Sequence, residues 1–373
     1  MRRKRIAILA KYPIWLIDET LPGKSNHYAV WLSALHKSFE TWQDTDIHWI
    51  TMSKGIRTLR TYSTKNQHFH VLPCGSRALA QSLFYYPDRW RIGRYLKKLS
   101  PDLVHAWGTE ECYGLCAMDY PGRKLLSVQG LLTACAERAP IVPFEVRQSR
   151  FEKKIFNNVC HITTESQWAR ERVLELAPQA NIQLFEYAVE NEFFTTERRV
   201  SETPCCLMLS SNTPVKNIPL AIKAFSSPEL KHIKLYMAGV RPGSYPNLPD
   251  NIITLGYVNR QQVTKLLSET WCFVHPSLAD TGPTALKEAR TMGVAAVVSS
   301  DCGAKDYVSM GKSGYIIDPG NVQQLIDAVL KITKDRDTAI SMGMYDRERC
   351  RSILSEEAMS TKLRRIYSNL LDN

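Results

Sequence analysis

Short apolar runs alternate with amphipathic stretches along most of the 373 residues. That is the pattern of an α/β protein whose strands run parallel between layers of helices. In the first half, residues 6–10, 47–51, 103–106, 125–128 and 161–164 read as strands. Between the first two, Tyr28, Trp31, Leu32, Leu35 and Phe39 fall at helical spacing and predict an amphipathic helix. Residues 186–204 are charged and carry no clear apolar period, which places an interdomain linker at 191–204. The pattern then restarts, with strands expected at 205–210, 233–238, 252–255, 272–275 and 295–299. Helices are expected after Asn217, Asn259, Thr284 and Asn321, and a last one over 356–371. The chain thus divides into a first domain at 1–190, a second at 205–355, and a C-terminal helix at 356–373 returning to the first.

Composition agrees with two folded cores. Hydrophobic residues make up 44% and charged residues 23%, as in globular proteins of this size. No apolar run approaches the roughly 18 residues a bilayer-spanning helix needs. The opening MRRKRIAILAKYP is basic and then apolar, but its apolar stretch is too short for a signal peptide and no small-residue cleavage site follows. It reads as a first strand behind a basic leader. The ten cysteines are scattered without a C-x2-C pair, and Cys205 and Cys206 fall inside an apolar strand. This favours reduced thiols packed as small hydrophobes in a cytoplasmic protein over a zinc site or a disulfide framework.

The net charge of +11 is unevenly spread. Between Lys54 and Lys98, ten Lys or Arg residues face a single acidic one, Asp88. The end of this segment interleaves Tyr85, Tyr86, Trp90 and Tyr95 with Arg89, Arg91, Arg94, Lys97 and Lys98. A basic amphipathic helix of this kind suits an anionic membrane surface. It also suits a nucleic-acid backbone, or simply a solvated surface.

Residues 276–306, PSLADTGPTALKEARTMGVAAVVSSDCGAKD, carry the most specific chemistry. Asp280 and Glu288 lie eight positions apart around a Gly-Pro-Thr turn that opens a helix, and an apolar strand follows. A helix N-terminus offers free amides and a positive dipole end to phosphate. Carboxylates on either side of it can accept hydrogen bonds from sugar hydroxyls. The segment resembles the acidic-x7-acidic signature of the retaining glycosyltransferases of family 4, whose two facing Rossmann-like domains and interdomain cleft are called GT-B.

The resemblance assigns Glu288 to the ribose and Asp280 to the hydroxyls of the transferred sugar, with Thr281, Gly282, Pro283, Thr284, Ala285 and Leu286 lining the donor phosphates. Asp280 stands where the family more often has Glu. In LSSNTPVKNIPLAIKAF, Lys216 matches the family's phosphate-binding Lys, while Ser211 replaces its Arg partner, leaving the amides of Ser211 and Asn212 to assist. Gly239, just past a strand end, and Val258 complete the donor side. On the acceptor side the resemblance points to Gly23, the survivor of a glycine pair, to Trp107 and Gln129 at positions where histidines are common, and to Ser166. The WGTE and VQG versions look like those of enzymes that build bacterial surface polysaccharides.

Other motifs fall away. Asp44-Thr45-Asp46 spells a D-x-D but precedes a strand in a polar loop, so no metal is expected. GxGxxG and GxxxxGK[ST] are absent. His105 reads as a core histidine and His275 as a neighbour of the donor, and no Ser/His/Asp set is visible. The expectation is a retaining, metal-independent, hexosyl-type glycosyltransferase without a resident cofactor. It would use a UDP- or GDP-sugar on a lipid-linked or surface glycan, at the cytoplasmic face of a membrane. The alternatives are a phage-type enzyme that glycosylates nucleic-acid bases and an inactive GT-B scaffold.

Overall fold

The computed structural model describes residues 2–20 and 30–372. Eight strands form a first sheet: β1 (Lys4–Leu9), β2 (Thr45–Ser53), β3 (Arg60–Thr64), β4 (Gln67–Pro73), β5 (Leu103–Trp107), β6 (Lys124–Ser127), β7 (His161–Thr164) and β8 (Asn181–Leu184). Their order is β3-β4-β2-β1-β5-β6-β7-β8, with only the β3–β4 pairing antiparallel. Six strands form a second: β9 (Cys205–Leu209), β10 (Lys234–Ala238), β11 (Ile252–Gly256), β12 (Cys272–His275), β13 (Ala295–Ser299) and β14 (Gly314–Ile317). These are all parallel, in the order β11-β10-β9-β12-β13-β14. The strands β3, β4, β8 and β14 were not expected from the apolar pattern. β3 is polar and largely exposed, so it has no buried face to leave a period-2 trace.

Helices cover both faces of each sheet. In the first domain these are α1 (Val30–Phe39), α2 (Arg77–Ser82), α3 (Tyr86–Leu99), α4 (Tyr113–Asp119), α5 (Leu132–Arg138), α6 (Pro143–Asn158) and α7 (Gln167–Leu176). Ile92 and Leu96 of α3, Leu115 of α4 and Ile155 of α6 close one face of the sheet. In the second half lie α8 (Glu192–Thr195), α9 (Ile218–Phe225), α10 (Arg260–Glu269), α11 (Thr284–Met292), α12 (Val322–Ile332), α13 (Arg336–Met344), α14 (Arg347–Leu354) and α15 (Glu356–Asp372). α15 crosses back to the first sheet, where Met359, Leu363, Ile366 and Tyr367 pack with Leu35 and Phe39 of α1. The Tyr367 hydroxyl lies 2.7 Å from Nδ1 of His105, whose Nε2 is 2.7 Å from the Ser127 hydroxyl. His105 is therefore a fully satisfied core histidine, and burial pushes its pKa down to about 3. The segment between the sheets is packed rather than free: Phe193 of α8 is buried against Leu207, Phe273 and Leu286.

Strand order reverses between β9 and β12, so the loops leaving their carboxyl ends diverge and open a crevice. Ligands of doubly wound sheets bind at such switch points. That crevice faces the loops after β6 and β7 of the first sheet, which reach the same region through the contacts given below.

Candidate active site

The loop after β9 and the loop after β12 are tied together before they present any chemistry. Asn217 adopts the left-handed conformation (φ 54), and its side-chain amide donates to the carbonyls of Pro276 (3.1 Å) and Pro319 (2.8 Å). The Leu278 amide donates to the Val215 carbonyl at 2.8 Å. Lys216, at the end of the 3-10 turn Pro214–Lys216, thereby brings Nζ to 2.5 Å from Oδ2 of Asp280. Gly239 (φ +86) is required beside this loop, because a Cβ there would lie 2.3 Å from the Ser210 carbonyl oxygen. Ser211 and Asn212 stand exposed at the mouth, and Asn212 Oδ1 accepts from the Tyr245 hydroxyl at 2.7 Å.

Burial works against ionisation of Asp280, but the Lys216 charge and the adjacent His275 outweigh it and hold the carboxyl well below its usual range. Burial likewise opposes the charge on Lys216, and Asp280 reverses the balance and raises its pKa. His275 Nε2 lies 3.3 Å from Asp280 Oδ2 but out of line for a hydrogen bond, and it has no other partner. Burial lowers its pKa, so the imidazole is neutral near pH 7. The cluster thus holds one cation, one anion and one unsatisfied neutral ring at the mouth of the crevice.

The helix α11 begins immediately beyond. Pro283 occupies its N-cap position, without a side-chain cap. The Leu286 amide already donates to the Pro283 carbonyl at 3.1 Å. This corrects the expectation that Leu286 offers a phosphate-binding amide; those of Thr284 and Ala285 have no partner among the described residues. One turn further in, Glu288 is buried and accepts from Arg260 at 2.8 Å. Arg260 also pairs with Glu190 and stacks its guanidinium 4.7 Å from the Phe193 ring centroid. Burial raises the Glu288 pKa and Arg260 restrains the rise. Sequence reasoning missed Arg260, although it opens α10 two residues after Val258, in the loop already singled out. Val258 itself is partly buried against the neighbouring core.

The signature loop is also where the two halves meet. The Thr281 hydroxyl donates to the Gln129 carbonyl, and the Thr281 carbonyl accepts from the Ser166 hydroxyl at 2.5 Å. Ser166 Oγ in turn caps α7 by accepting from Ala169 N at 3.1 Å. The Ser166 hydroxyl thus serves as a strut through its proton and as a helix cap through one lone pair. Gly282 lies where a Cβ would meet Glu165 Cδ at 2.8 Å. Glu165 forms a buried ion pair with Lys287 of α11, which also donates to the Tyr187 carbonyl at 3.3 Å. Burial pushes the Glu165 carboxyl up to about 7 against the pull of Lys287.

Of the other acceptor-side residues, Gly23 lies outside the described residues. Trp107 is packed among His105, Phe185 and Tyr187, only 2% exposed, with its indole N–H unpartnered. Its ring fills core rather than cleft, which corrects the expectation of a direct acceptor contact. Gln129 is partly exposed. Beside it stands a group that sequence reasoning passed over within WGTE. The Glu110 carboxylate lies against Gly108 and Gly130, so close that a Cβ on either glycine would meet it at 2.1 and 2.8 Å. Burial pushes its pKa up to about 7. Of the D-x-D, Asp44 lies in the turn before β2 and Asp46 within the strand, and their carboxylates pair with Arg364 (3.2 Å) and Arg3 (2.9 Å).

With this geometry in place, comparison with known proteins is specific for the second half. Residues 189–349 match the family model described as "Glycosyl transferases group 1". An uncharacterized glycosyltransferase of Bacillus subtilis, YqgM, is 26% identical over 170 residues, covering 43% of this chain and 47% of that protein. The UDP-Gal:alpha-D-GlcNAc-diphosphoundecaprenol alpha-1,3-galactosyltransferase of Escherichia coli is 29% identical over 90 residues, 24% of this chain and 23% of that one. The matched stretches thus span less than half of either relative's length. In fold the likeness runs end to end: sucrose-phosphate synthase from Thermosynechococcus elongatus superposes with a TM-score of 0.80 at 14% identity, over 99% of this chain and 100% of that one. Residues 189–349 accordingly match the group 1 glycosyltransferases, and the chain as a whole carries the GT-B fold.

Proposed function

We propose that the protein transfers a hexose-type sugar, with retention and without a metal, from a nucleotide-diphosphate sugar to a hydroxyl of a lipid-linked or surface-polysaccharide glycan. The observation that carries this reading is the convergence of Lys216, Asp280 and His275 beside the uncapped N-terminus of α11. Breaking the sugar–phosphate bond leaves negative charge on the β-phosphate. Lys216 and the amides of Thr284 and Ala285 stand ready to receive that charge without reorganising water. As the phosphate arrives, Lys216 is shared between it and Asp280, which frees a lone pair of Asp280 for a sugar hydroxyl. Glu288, steadied by Arg260, accepts from the ribose. The departing phosphate oxygen takes the acceptor proton on the same face of the ring, so a separate protein base is unnecessary. The acceptor class draws its support from the lipid diphosphate substrate named for the Escherichia coli relative.

The test is nucleotide release from a panel of UDP-, GDP-, ADP- and CDP-sugars. Lys216→Ala and Glu288→Ala are each expected to lower release by about 10²- to 10³-fold, the scale of losing one preorganised charge or hydrogen-bond partner. A panel in which no donor is turned over and none shifts the melting temperature would overturn the reading and leave an inactive scaffold.

A further inference from the structure

The exposed large hydrophobic side chains are concentrated far more than a soluble surface requires. Leu79, Leu83, Phe84, Tyr86 and Trp90 stand exposed within twelve residues of α2, the α2–α3 turn and α3, with Tyr86 at 68%. Val142 and Val146 at the start of α6 extend the same ridge, since Phe84 packs on Phe151 with ring centroids 5.1 Å apart. Contiguous patches of this kind mark interaction sites. The turn that displays them is built against local preference. Phe84 and Tyr85 are consecutive aromatic residues at φ 51 and φ 54, a region bulky residues seldom enter. The outcome is that Tyr85 turns inward, its hydroxyl 3.1 Å from Gln148 Oε1, and Phe84 turns out. Between Tyr86 and Trp90, with Pro87 and Arg91, lies a hollow of 270 Å³.

Around the ridge the charge is positive. Arg94, Lys97 and Lys98 of α3 and Arg150, Lys153 and Lys154 of α6 are all exposed. The Arg94 guanidinium sits 4.7 Å from the centroid of the Trp90 ring. Of the nearby acids, Asp88 and Asp119 are taken up by Arg91 and Arg89, and Glu152 is buried on Thr109, Leu132 and Thr133, leaving Glu145 on the outer side of α6.

We infer that this ridge docks the protein on an anionic lipid bilayer, with Phe84, Tyr86 and Trp90 in the headgroup layer and the surrounding Lys and Arg residues on lipid phosphates. Aromatic side chains settle at that depth, and aliphatic residues among basic ones gain from acyl chains. A nucleic-acid backbone would reward the charges but not Leu79, Leu83, Val142 or Val146. The ridge is also wired to the acceptor side of the cleft. Gln148, on the inner face of α6, accepts from Gln81 and Tyr85 through Oε1, and donates through Nε2 to the carbonyls of Thr109 (2.6 Å) and Glu111 (3.2 Å). Docking therefore holds the WGTE loop at a fixed height over the bilayer, where a lipid-linked glycan would arrive.

Flotation with extruded vesicles tests this without the acceptor. The wild type is expected to float with phosphatidylcholine vesicles that contain one-third phosphatidylglycerol, and not with phosphatidylcholine alone. The Phe84→Asp/Trp90→Asp variant is expected to partition at least about tenfold more weakly, as is Arg94→Glu/Lys97→Glu/Lys98→Glu. All three proteins should keep the same melting temperature and the same nucleotide release in solution, so failure of the donor reading and failure of the docking reading remain separate results. Equal flotation of wild type and aromatic variant would overturn the inference. So would binding to duplex DNA, with steep salt dependence, by a protein that ignores the anionic vesicles.

Discussion

At the scale of single residues, the site depends on two carboxylates, Glu288 buried and Asp280 partly buried, each answered by one cation. Asp280 has Lys216, and Glu288 has Arg260. The two pairs differ in what the cation does. Lys216 lies at the mouth and would meet the donor itself. Arg260 is held from the side by Glu190 and by the face of Phe193, so in the proposed reaction it would act by fixing the Glu288 carboxylate for the ribose. Removing it should therefore weaken donor binding more than the chemical step. Arg260→Ala is expected to raise the donor KM about tenfold with kcat within a factor of about two, the signature of lost uniform binding. Arg260→Lys should recover little, since a point charge cannot serve two carboxylates with the geometry of a guanidinium. Steady-state nucleotide release decides the matter: a fall in kcat at constant KM would show that Arg260 acts on the transition state instead.

At the scale of elements, what could be read from the chain and what could not divide along a physical line. Strands buried on both faces, such as β9, β12 and β13, are short apolar runs and stood out; so did α1 and α15, whose apolar stripes face the first sheet. The edge strands β3 and β14 and the short helices α13 and α14 left no comparable trace, because a half-exposed or brief element has little periodicity to show. The loops proposed to bind the donor could be singled out because their residues are contiguous. Arg260, Glu110 and the Lys287–Glu165 pair were not, since each acquires its meaning from a partner distant in sequence. One such invisible cluster joins β2 to β4. Nδ1 of His48 lies 3.0 Å from Nε2 of His70, and the His48 ring stacks on His68 at 4.7 Å. Burial first, then the neighbouring histidines, pushes His48 down to about 4, and burial with His68 does the same to His70. In the unfolded chain both would titrate near about 6.5. Above that value the two histidines contribute nothing to the pH dependence, and their contribution to stability is lost as pH falls from about 6.5 toward 4, where the unfolded state binds protons that the folded state refuses; Glu110 and Glu165, raised to about 7, act in the opposite sense. Thermal melts across this window should show the Tm of the wild type losing ground to that of His48→Gln as pH falls from about 6.5 toward 4. Parallel curves would mean that other groups carry the acid sensitivity.

At the scale of the whole molecule, the halves are joined at the very loop proposed to shape the donor site. Thr281 reaches Gln129 and Ser166, Gly282 abuts Glu165, and Lys287 of α11 buries its ammonium on Glu165. Any rotation of one sheet against the other must break these contacts, and the last of them is the costliest to disturb. Lys287 is 1% exposed, so its removal leaves the Glu165 carboxylate in a dry pocket without its cation. Breaking a buried pair from one side typically costs about 3–5 kcal/mol, whereas replacing both partners by neutral groups of similar size is often tolerated. Lys287→Met is therefore expected to lower stability by an amount in that range, and Glu165→Gln/Lys287→Met to regain most of it. The informative quantity is what the double variant does to the donor. If the ion pair sets the angle between the halves, the double variant should fold normally, show a larger radius of gyration in solution scattering, and bind the donor more weakly despite an intact Lys216–Asp280 pair. A double variant with wild-type scattering and wild-type donor affinity would show that Thr281, Ser166 and Gln129 suffice to hold the cleft, and that the buried charges contribute stability alone.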